Sequence, residues 1–470
     1  MKSLQTRLIQ CALISSFLGS SALANNTADL NVDVASQLQH TALNSTLGFD
    51  IVESLTVEVG PRLAGSDKDI VAVNWAEAKL KQLGFDRVYK EAVEVPVWER
   101  GNASAHIVSP FNQPLVITAL GGSIATPSEG LQAEIIRFES LDALNAADAK
   151  DVKGKIVFID HKTERHISGK GYGKSVGGRS KGAVAAAEKG AIAIVIRSIG
   201  TDHDRMAHTG VMRYQDGVPK IPAAALSAPD ADLIVAMLKR SQSVVLSLNM
   251  SSENKGTATS YNVIGEVTGS SKADEIVLIG AHLDSWDEGT GAIDDGAGVA
   301  IVTAAAKHIL DLPIKPARTI RVVLYAAEEI GLIGGKAYAK AHEAELSKHY
   351  IAAESDFGAG RIYQIDVKVA PASVDGIKST LAVMANNQVE YGNNDASGGP
   401  DVSMLPSMGV PVASLRQDGT DYFDYHHTPN DTLDKIDPKA LAQNVAAYAQ
   451  FAYLMAQSPL ELRPLAVEVK

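Results

Sequence analysis

Hydrophobic and polar positions follow different periods in the two halves of the chain. From Tyr261 onward, short apolar runs alternate with longer stretches of helical period. The runs that we predict as strands are Glu275–Gly280, Thr319–Tyr325, Tyr350–Ala353 and Val410–Leu415. Helices are expected between them, and Pro438–Gln457 makes a long final helix. This alternation predicts an α/β fold with a mostly parallel central sheet that is flanked by helices.

The N-terminal half has a different pattern of apolar and polar residues. Two helices are predicted near its start, at Phe49–Val59 and Val71–Leu83. The middle of the chain consists of short β-rich runs that are separated by Gly/Pro turns. We therefore predict an α/β domain built from residues 25–92 and 255–470. An inserted β-rich domain, residues 93–254, is expected to split it.

The first residues carry the features of an export signal. Lys2 and Arg7 give a positive start, Leu8–Leu18 is mostly apolar, and Ala22–Ala24 supplies the small-x-small cleavage pattern. We predict a signal peptide over residues 1–24 and a secreted or periplasmic mature protein. No later segment reaches about 18 consecutive apolar residues, so no membrane span is predicted.

Charge and cysteine content narrow the chemistry. The formal net charge of −12 argues against a nucleic-acid partner, which would require a basic surface. Cys11 is the only cysteine and lies in the predicted signal peptide. A metal in the mature chain would therefore be held by His, Asp and Glu side chains.

Polar side chains follow the predicted strands at the point where each strand ends. They are His282 and Asp284, Asp294 and Asp295, Glu328 and Glu329, Asp356, and His426 and His427. Ligands of α/β sheets bind at the carboxyl ends of strands, so these side chains are expected to meet. Adjacent buried carboxylates repel unless a cation compensates. The set suits two divalent ions that share a carboxylate, although Asp294 or Asp295 can instead cap the following helix.

The spacing of these residues resembles that of a known family. The motifs are His282-x-Asp284, Gly-Ala-x-Asp294-Asp295, Glu328-Glu329, Glu-Ser-Asp356 and His427-Thr-x-x-Asp431. Together they are similar to those of the co-catalytic zinc aminopeptidase and glutamate carboxypeptidase family. The resemblance covers roughly residues 45–460. It implies a zinc-exopeptidase-like fold with an inserted domain similar to a protease-associated domain.

The resemblance also implies a ligand set for two zinc ions. One zinc would be held by His282 and Asp356, and the other by Glu329 and His427. Asp294 would bridge the two ions.

Three further roles follow from the same resemblance. Glu328 would be the general base, and Asp284 would orient His282. Some members of the family have an oxyanion-stabilising tyrosine immediately before the last histidine ligand. In this chain His426 occupies that position.

These assignments predict a di-zinc exopeptidase that hydrolyses dipeptides or other small peptides. An aminopeptidase on longer peptides and a non-catalytic peptide-binding protein on the same scaffold are the alternatives. The inserted domain is expected to lie over the cleft, with residues 210–222 helping to close it. A small peptide is the expected partner, and a homodimer is left open.

A serine hydrolase is a weaker alternative. Ser175 is centred in a Gly-x-Ser-x-Gly pattern at Gly173–Gly177. That pattern needs a buried strand before it and a helix directly after it. Here we predict a flexible Gly/Lys/Arg-rich loop over Lys162–Lys181, followed by a helix at Gly182–Lys189.

Overall fold

The computed structural model describes residues 31–241 and 243–465. The predicted signal peptide, residues 1–24, lies outside the described residues. Within the described ranges, no helix combines the length and the apolar character that a membrane crossing requires.

The strands form two sheets. In chain order they are β1 (Arg87–Glu99), β2 (Ala103–Ser109), β3 (Gln113–Leu115), β4 (Ile117–Ala119), β5 (Leu131–Phe138), β6 (Ile156–Ile159), β7 (Ala193–Arg197), β8 (Ala223–Leu226), β9 (Val245–Met250), β10 (Glu253–Val267), β11 (Lys272–His282), β12 (Arg318–Tyr325), β13 (His349–Glu354), β14 (Ile362–Lys368), β15 (Glu390–Tyr391) and β16 (Val412–Gln417). The first sheet has the order β1-β10-β12-β11-β13-β16-β14-β15, and the second has the order β3-β2-β9-β5-β6-β7-β8-β4.

Helices cover the first sheet and connect the strands of both sheets. A first helix, α1, is described over residues 31–43. The others are α2 (Leu47–Glu58), α3 (Asp67–Gln82), α4 (Leu141–Ala146), α5 (Ala149–Val152), α6 (Lys170–Glu188), α7 (Ala228–Arg240), α8 (Ala297–Leu310), α9 (Ile333–Ala341), α10 (Val374–Leu381), α11 (Tyr422–Tyr425) and α12 (Pro438–Gln457). Short 3₁₀ helices lie at Glu343–Lys348, Pro371–Ser373, Ala382–Asn387, Leu405–Met408 and Leu433–Lys435.

The first sheet confirms the predicted α/β class. Its central strands β12, β11, β13 and β16 are parallel, and β14 is parallel to β15. The antiparallel pairs are β1 with β10, β10 with β12, and β14 with β16. From Ile276 onward both faces of β11 are buried, and its side chains alternate between two cores. Val277 and Ile279 pack in the core that contains α8 and α12, while Ile276 and Leu278 pack in the core on the other face.

The predicted domain boundaries fall within two long paired strands. Residue 93 lies inside β1 and residue 254 inside β10, and these strands pair from Arg87 with Glu266 to Glu99 with Glu253. The second sheet uses only strands that lie between them in the chain. The division into domains stays a prediction.

The prediction of a loop over Lys162–Lys181 is wrong for its second half, because α6 begins at Lys170. Glycine disfavours an isolated helix, but tertiary packing offsets that cost here. Gly178 and Gly182 lie so close to β6 and β7 that an added Cβ would come 3.3 Å from Ile159 and 2.9 Å from Ile194. Ser175 is buried within this helix and donates to the Gly171 carbonyl, so it is no exposed nucleophile.

Candidate metal centre

The carboxyl ends of three parallel strands carry the first polar residues of the site. β11 ends at His282, Glu328 and Glu329 lie three and four residues after the end of β12, and Asp356 lies two residues after β13. Because β12, β11 and β13 are adjacent and parallel, their carboxyl ends meet at one edge of the sheet.

The five predicted metal ligands come together as two overlapping groups. His282 Nε2 lies 3.2 Å from Asp294 Oδ1 and 3.5 Å from Asp356 Oδ1. On the other side, His427 Nε2 lies 2.9 Å from Glu329 Oε2 and 3.3 Å from Asp294 Oδ2. One oxygen of Asp294 thus faces each group, which is the arrangement of a bridging carboxylate.

The donor atoms and their environment fit divalent cations. Asp294 Oδ2 and Glu329 Oε1 are buried and make no hydrogen bond to another described residue, although His427 lies near the former. Burial, followed by repulsion from Asp294, raises the pKa of Glu329. Buried carboxylate oxygens without donors are costly unless a cation compensates, and imidazole with carboxylate is a donor set that suits zinc.

Neighbouring residues offer additional donors. Three overlapping sets bring their donor atoms within 4.8 Å of one another. They are Asp294 with His426 and His427; His282 with Asp295 and Asp356; and His282 with Asp294 and Glu329.

Asp284 links His282 to the two adjacent glutamates. Its backbone carbonyl is 3.0 Å from His282 Nδ1, and its Oδ1 is 3.5 Å from the same nitrogen. Its carboxylate accepts hydrogen bonds from the backbone N–H groups of Glu328, at 3.0 Å, and Glu329, at 3.4 Å. Asp284 therefore contacts the imidazole mainly through its backbone and holds the glutamate turn with its side chain.

Asp294 and Asp295 are adjacent but face different partners. The Asp295 carboxylate accepts from the Gly298 N–H in the first turn of α8, at 2.9 Å, and from the His282 N–H, at 3.2 Å. Asp295 therefore has the capping contact, and Asp294 is free to face the histidines.

Two buried residues to which the sequence analysis gave no role support the turn that carries Asp294. Asp431 accepts from the N–H groups of Ile293, at 2.6 Å, and Asp294, at 3.2 Å. Arg62 is fully buried and donates to the carbonyls of Leu283, Thr290 and Gly291. Asp431 is the last residue of the motif His427-Thr-x-x-Asp431, and its place in that motif was the one sign in the sequence that it belongs near the site.

His426 stacks on His427 with ring centroids 3.5 Å apart, and its Nε2 lies 3.6 Å from Asp294 Oδ2. Burial, together with the neighbouring His427, lowers the pKa of His426 well below its ordinary value. His426 therefore lies beside the cluster, stacked on a predicted ligand.

A cleft of about 330 Å³ opens onto the cluster. It is lined by helices and loops that connect the strands of both sheets. Glu328, half-buried, lines it together with Asp294, Glu329, Asp356, His426 and His427. Four other lining residues, Tyr172, Arg179, Val211 and Arg213, come from the polypeptide of the second sheet. A backbone hydrogen bond joins this part of the chain to the metal-binding cluster: the Thr209 N–H donates to the His427 carbonyl at 3.0 Å.

Comparisons with known proteins agree with this geometry. A profile of Peptidase family M28 matches residues 262–452. Carboxypeptidase Q of Rattus norvegicus is 38% identical over 398 residues, which are 85% of this chain and 83% of the relative. The crystal structure of a peptidase M28 precursor from Shewanella amazonensis SB2B has a TM-score of 0.93 and 72% identity, covering 94% of this chain and 100% of that chain. BSAP, a zinc aminopeptidase from Bacillus subtilis, shares the fold with a TM-score of 0.60 at 20% identity, covering 86% and 93% of the two chains.

These relatives confirm the resemblance that the sequence motifs predicted. The protein is a metallopeptidase of the exopeptidase type, and its buried histidine and carboxylate groups can hold metal ions. Since the chain covers 83% of a relative that is 38% identical to it, the chain belongs to peptidase family M28.

Proposed function

We propose that this exopeptidase hydrolyses dipeptides and other small peptides, with Glu328 as its general base. The observation that carries the proposal is the position of Glu328. Its carboxylate lines the cleft, yet it belongs to none of the three sets of side chains that can hold a metal. Its neighbour Glu329 does belong to one of them. Glu329 is therefore the proposed metal ligand, and Glu328 remains available as the base.

The family resemblance and the distances between the side chains support a ligand set for the two zinc ions. His282 and Asp356 would hold one zinc, Glu329 and His427 the other, and Asp294 would bridge them. Two bound zinc ions supply Lewis acidity, which makes a water molecule more acidic and polarises a peptide carbonyl.

The protein groups handle the proton and the orientation. Glu328 takes a proton from the attacking water and delivers it to the leaving amine. Burial, followed by repulsion from Asp356, raises the pKa of Glu328 well above its ordinary value. Asp284 holds the backbone of Glu328 so that the carboxylate stays in the cleft.

His426 is our candidate for stabilising the oxyanion that forms at the carbonyl. It lines the cleft, and its buried Nδ1 has no hydrogen-bond partner in the described ranges. A neutral imidazole can donate one N–H, which is the role that a tyrosine hydroxyl would otherwise play.

The dimensions of the cleft support a short substrate. Its volume of about 330 Å³ is at the small end of the range for ligand sites. Arg179, Val211 and Arg213 line the cleft on the side of the second sheet. We propose that residues 210–222 help to close the site and limit substrate length.

A turnover profile tests this function. We expect dipeptides to be hydrolysed faster than their tripeptide extensions, and a variant with residues 210–222 shortened should gain tripeptide activity relative to dipeptide activity. If longer peptides with free N-termini are preferred by the unmodified enzyme, the aminopeptidase alternative is correct. A parallel fall of both activities in the shortened variant would show that the segment does not limit length.

We also propose that residues 1–24 direct export. N-terminal sequencing of the mature protein should then begin at Asn25. That the protein forms a homodimer stays a prediction. Measuring the molecular mass of the purified protein in solution tests it.

A further inference from the structure

A second cavity, much smaller than the cleft, borders the metal-binding cluster. Its volume of about 10 Å³ is about the least that holds one water molecule. The side chains that line it include Trp286, Asp294, Glu329, His427 and Asp431. Two of them, Glu329 and His427, are the proposed ligands of one zinc ion, so this cavity lies directly beside that ion's position.

Trp286 and Glu329 each have a buried polar atom without a hydrogen-bond partner in the described ranges, namely Nε1 and Oε1. Both side chains are almost fully buried, with 4% and 5% of their surface exposed. The other two tryptophans of the chain differ, because Trp75 Nε1 donates to a serine hydroxyl at 3.0 Å and Trp98 Nε1 to a backbone carbonyl at 2.9 Å. An indole N–H only donates and a carboxylate only accepts, so one water between the two satisfies both.

The packing around Trp286 leaves its indole ring one position. A Cβ added to Gly121 would come 2.1 Å from the ring, so only glycine leaves room for the indole there. Trp98 packs edge-on against it with ring centroids 6.4 Å apart, and the Arg100 guanidinium lies 5.6 Å from its centroid. Arg100 Nε also donates to the carboxylate of the next residue, Asp287, at 3.0 Å. Residues outside the metal cluster therefore decide where the indole lies.

The indole ring also packs on a proposed ligand. Its centroid lies 5.6 Å from that of the His427 ring, with 59° between the two planes. Trp286 therefore packs on His427 and shares the small cavity with Glu329, and both residues are proposed ligands of the same ion. The ligands proposed for the other ion alone, His282 and Asp356, do not line this cavity. Loss of the indole should therefore act on one of the two ions.

We propose that Trp286 is a positioning residue for the zinc ion held by Glu329 and His427. Its N–H holds Glu329 Oε1 through one buried water in the small cavity, and its ring supports the His427 imidazole. Ligands that are fixed before the ion arrives lose less freedom on binding, so the ion binds more tightly. The inference rests on the ligand set of the proposed function and adds a residue outside that set that determines the affinity of one ion.

Zinc titration of Trp286→Phe is the first test. Phenylalanine keeps an aromatic ring and removes the N–H. In competition with a chelator, one of the two zinc ions should bind about 10- to 100-fold more weakly, while the other keeps its parental affinity. Trp75→Phe, on α3, is the matched control and should leave both affinities unchanged. Unchanged affinities in Trp286→Phe, or a parallel loss of both, would overturn the inference.

An isosteric replacement separates the N–H from the packing of the ring. Benzothienylalanine at position 286 keeps the bicyclic shape and has sulfur in place of the N–H. Because it fills nearly the same volume as the indole, it disturbs the fold less than phenylalanine does. It should show the same selective loss for one ion. Parental affinity for both ions in this variant would show that the N–H does not hold Glu329.

Gly121→Ala tests the packing from a distance. The added methyl group forces the Trp286 ring to move, although the backbone of residue 121 bonds to Gly210 and Met212 and to no proposed ligand. We expect a weaker affinity for the same single ion. Gly173→Ala is the control, because an added Cβ there meets no atom within 4 Å. Equal zinc affinities in the two glycine variants would contradict the role of the packing.

A crystal structure of the zinc-loaded enzyme tests the water directly. One water should lie within about 3.2 Å of both Trp286 Nε1 and a carboxylate oxygen of Glu329. A cavity without that water would overturn the bridge. The zinc titrations use no substrate, so they are independent of the reaction. A protein that does not hydrolyse dipeptides overturns the proposed function, and the titrations still decide the role of Trp286.

Discussion

Two pairs of adjacent acidic residues show how neighbours in sequence take different parts in one site. Asp294 faces both proposed histidine ligands, while Asp295 accepts hydrogen bonds from the backbone of His282 and the start of α8. Glu329 lies 2.9 Å from His427, whereas Glu328 remains in the cleft outside the sets of metal-binding side chains. Substitution of each member of a pair therefore gives a different expected result.

Glu328→Gln should retain both zinc ions and lose about 10²- to 10⁴-fold in turnover, because an amide cannot accept the proton of the attacking water. Metal analysis and steady-state kinetics on the same preparation measure the two quantities. Near-parental turnover at full zinc content would exclude Glu328 as the base.

Asp294→Ala should lower the zinc content of the protein, since one carboxylate lies beside both histidine ligands. Asp295→Ala is the control and should keep its zinc while losing about 1–3 kcal/mol of unfolding free energy, because two buried N–H groups lose their acceptor. Metal analysis with thermal unfolding distinguishes the two variants. Full zinc occupancy at unchanged affinity in Asp294→Ala would contradict its bridging role.

At the scale of elements, the strands that end at the site were predictable because they are continuous apolar runs that alternate with stretches of helical period. The predicted runs for β11, β12 and β13 fall inside the observed strands, and Pro438–Gln457 is the observed α12. The first half of α6 could not be predicted, because its glycines favour a loop until they pack against β6 and β7. Local sequence contains no information about that packing.

The same distinction applies to the site. The histidine and acidic residues after the strands were candidates from their position in the sequence, and the family resemblance supplied their predicted roles. Arg62, Arg179 and Arg213 were not, because they reach the cluster or the cleft from distant segments of the chain. Only the tertiary fold brings them within reach of Glu328 and the proposed ligands.

Asp431 gives a prediction about the turn at Ala292–Gly296. Asp431→Asn should weaken zinc binding by about 10- to 100-fold. The two carboxylate oxygens of Asp431 accept from the Ile293 and Asp294 N–H groups, one each, and an amide has only one oxygen that can accept. Chelator competition measures the affinity. Asp434→Asn, an exposed change three residues later, should have no effect, and equal affinities in the two variants would refute the prediction.

At the scale of the whole molecule, the proposed ligands are far apart in the chain, from His282 to His427, and a bound ion would join these distant segments of the M28 match. Zinc should therefore stabilise the folded chain, by about 2.7 kcal/mol when free zinc is 100-fold above its Kd. Scanning calorimetry with and without a chelator measures the change in Tm, and added zinc should restore both Tm and turnover. Asp294→Ala should show a much smaller zinc-dependent shift, and a Tm of the parent enzyme that ignores zinc would contradict the prediction.

The hydrogen bond from Thr209 to the carbonyl of His427 has a consequence for movement between the two sheets. The Thr209 carbonyl also lies 3.3 Å from His427 Nδ1, and His208 Nδ1 lies 2.8 Å from the His426 carbonyl. A hinge opening of the second sheet would have to break contacts to a proposed ligand of zinc. If those contacts orient His427 for the ion, ion affinity and hinge opening are thermodynamically linked, and an open conformation binds the ion more weakly than a closed one.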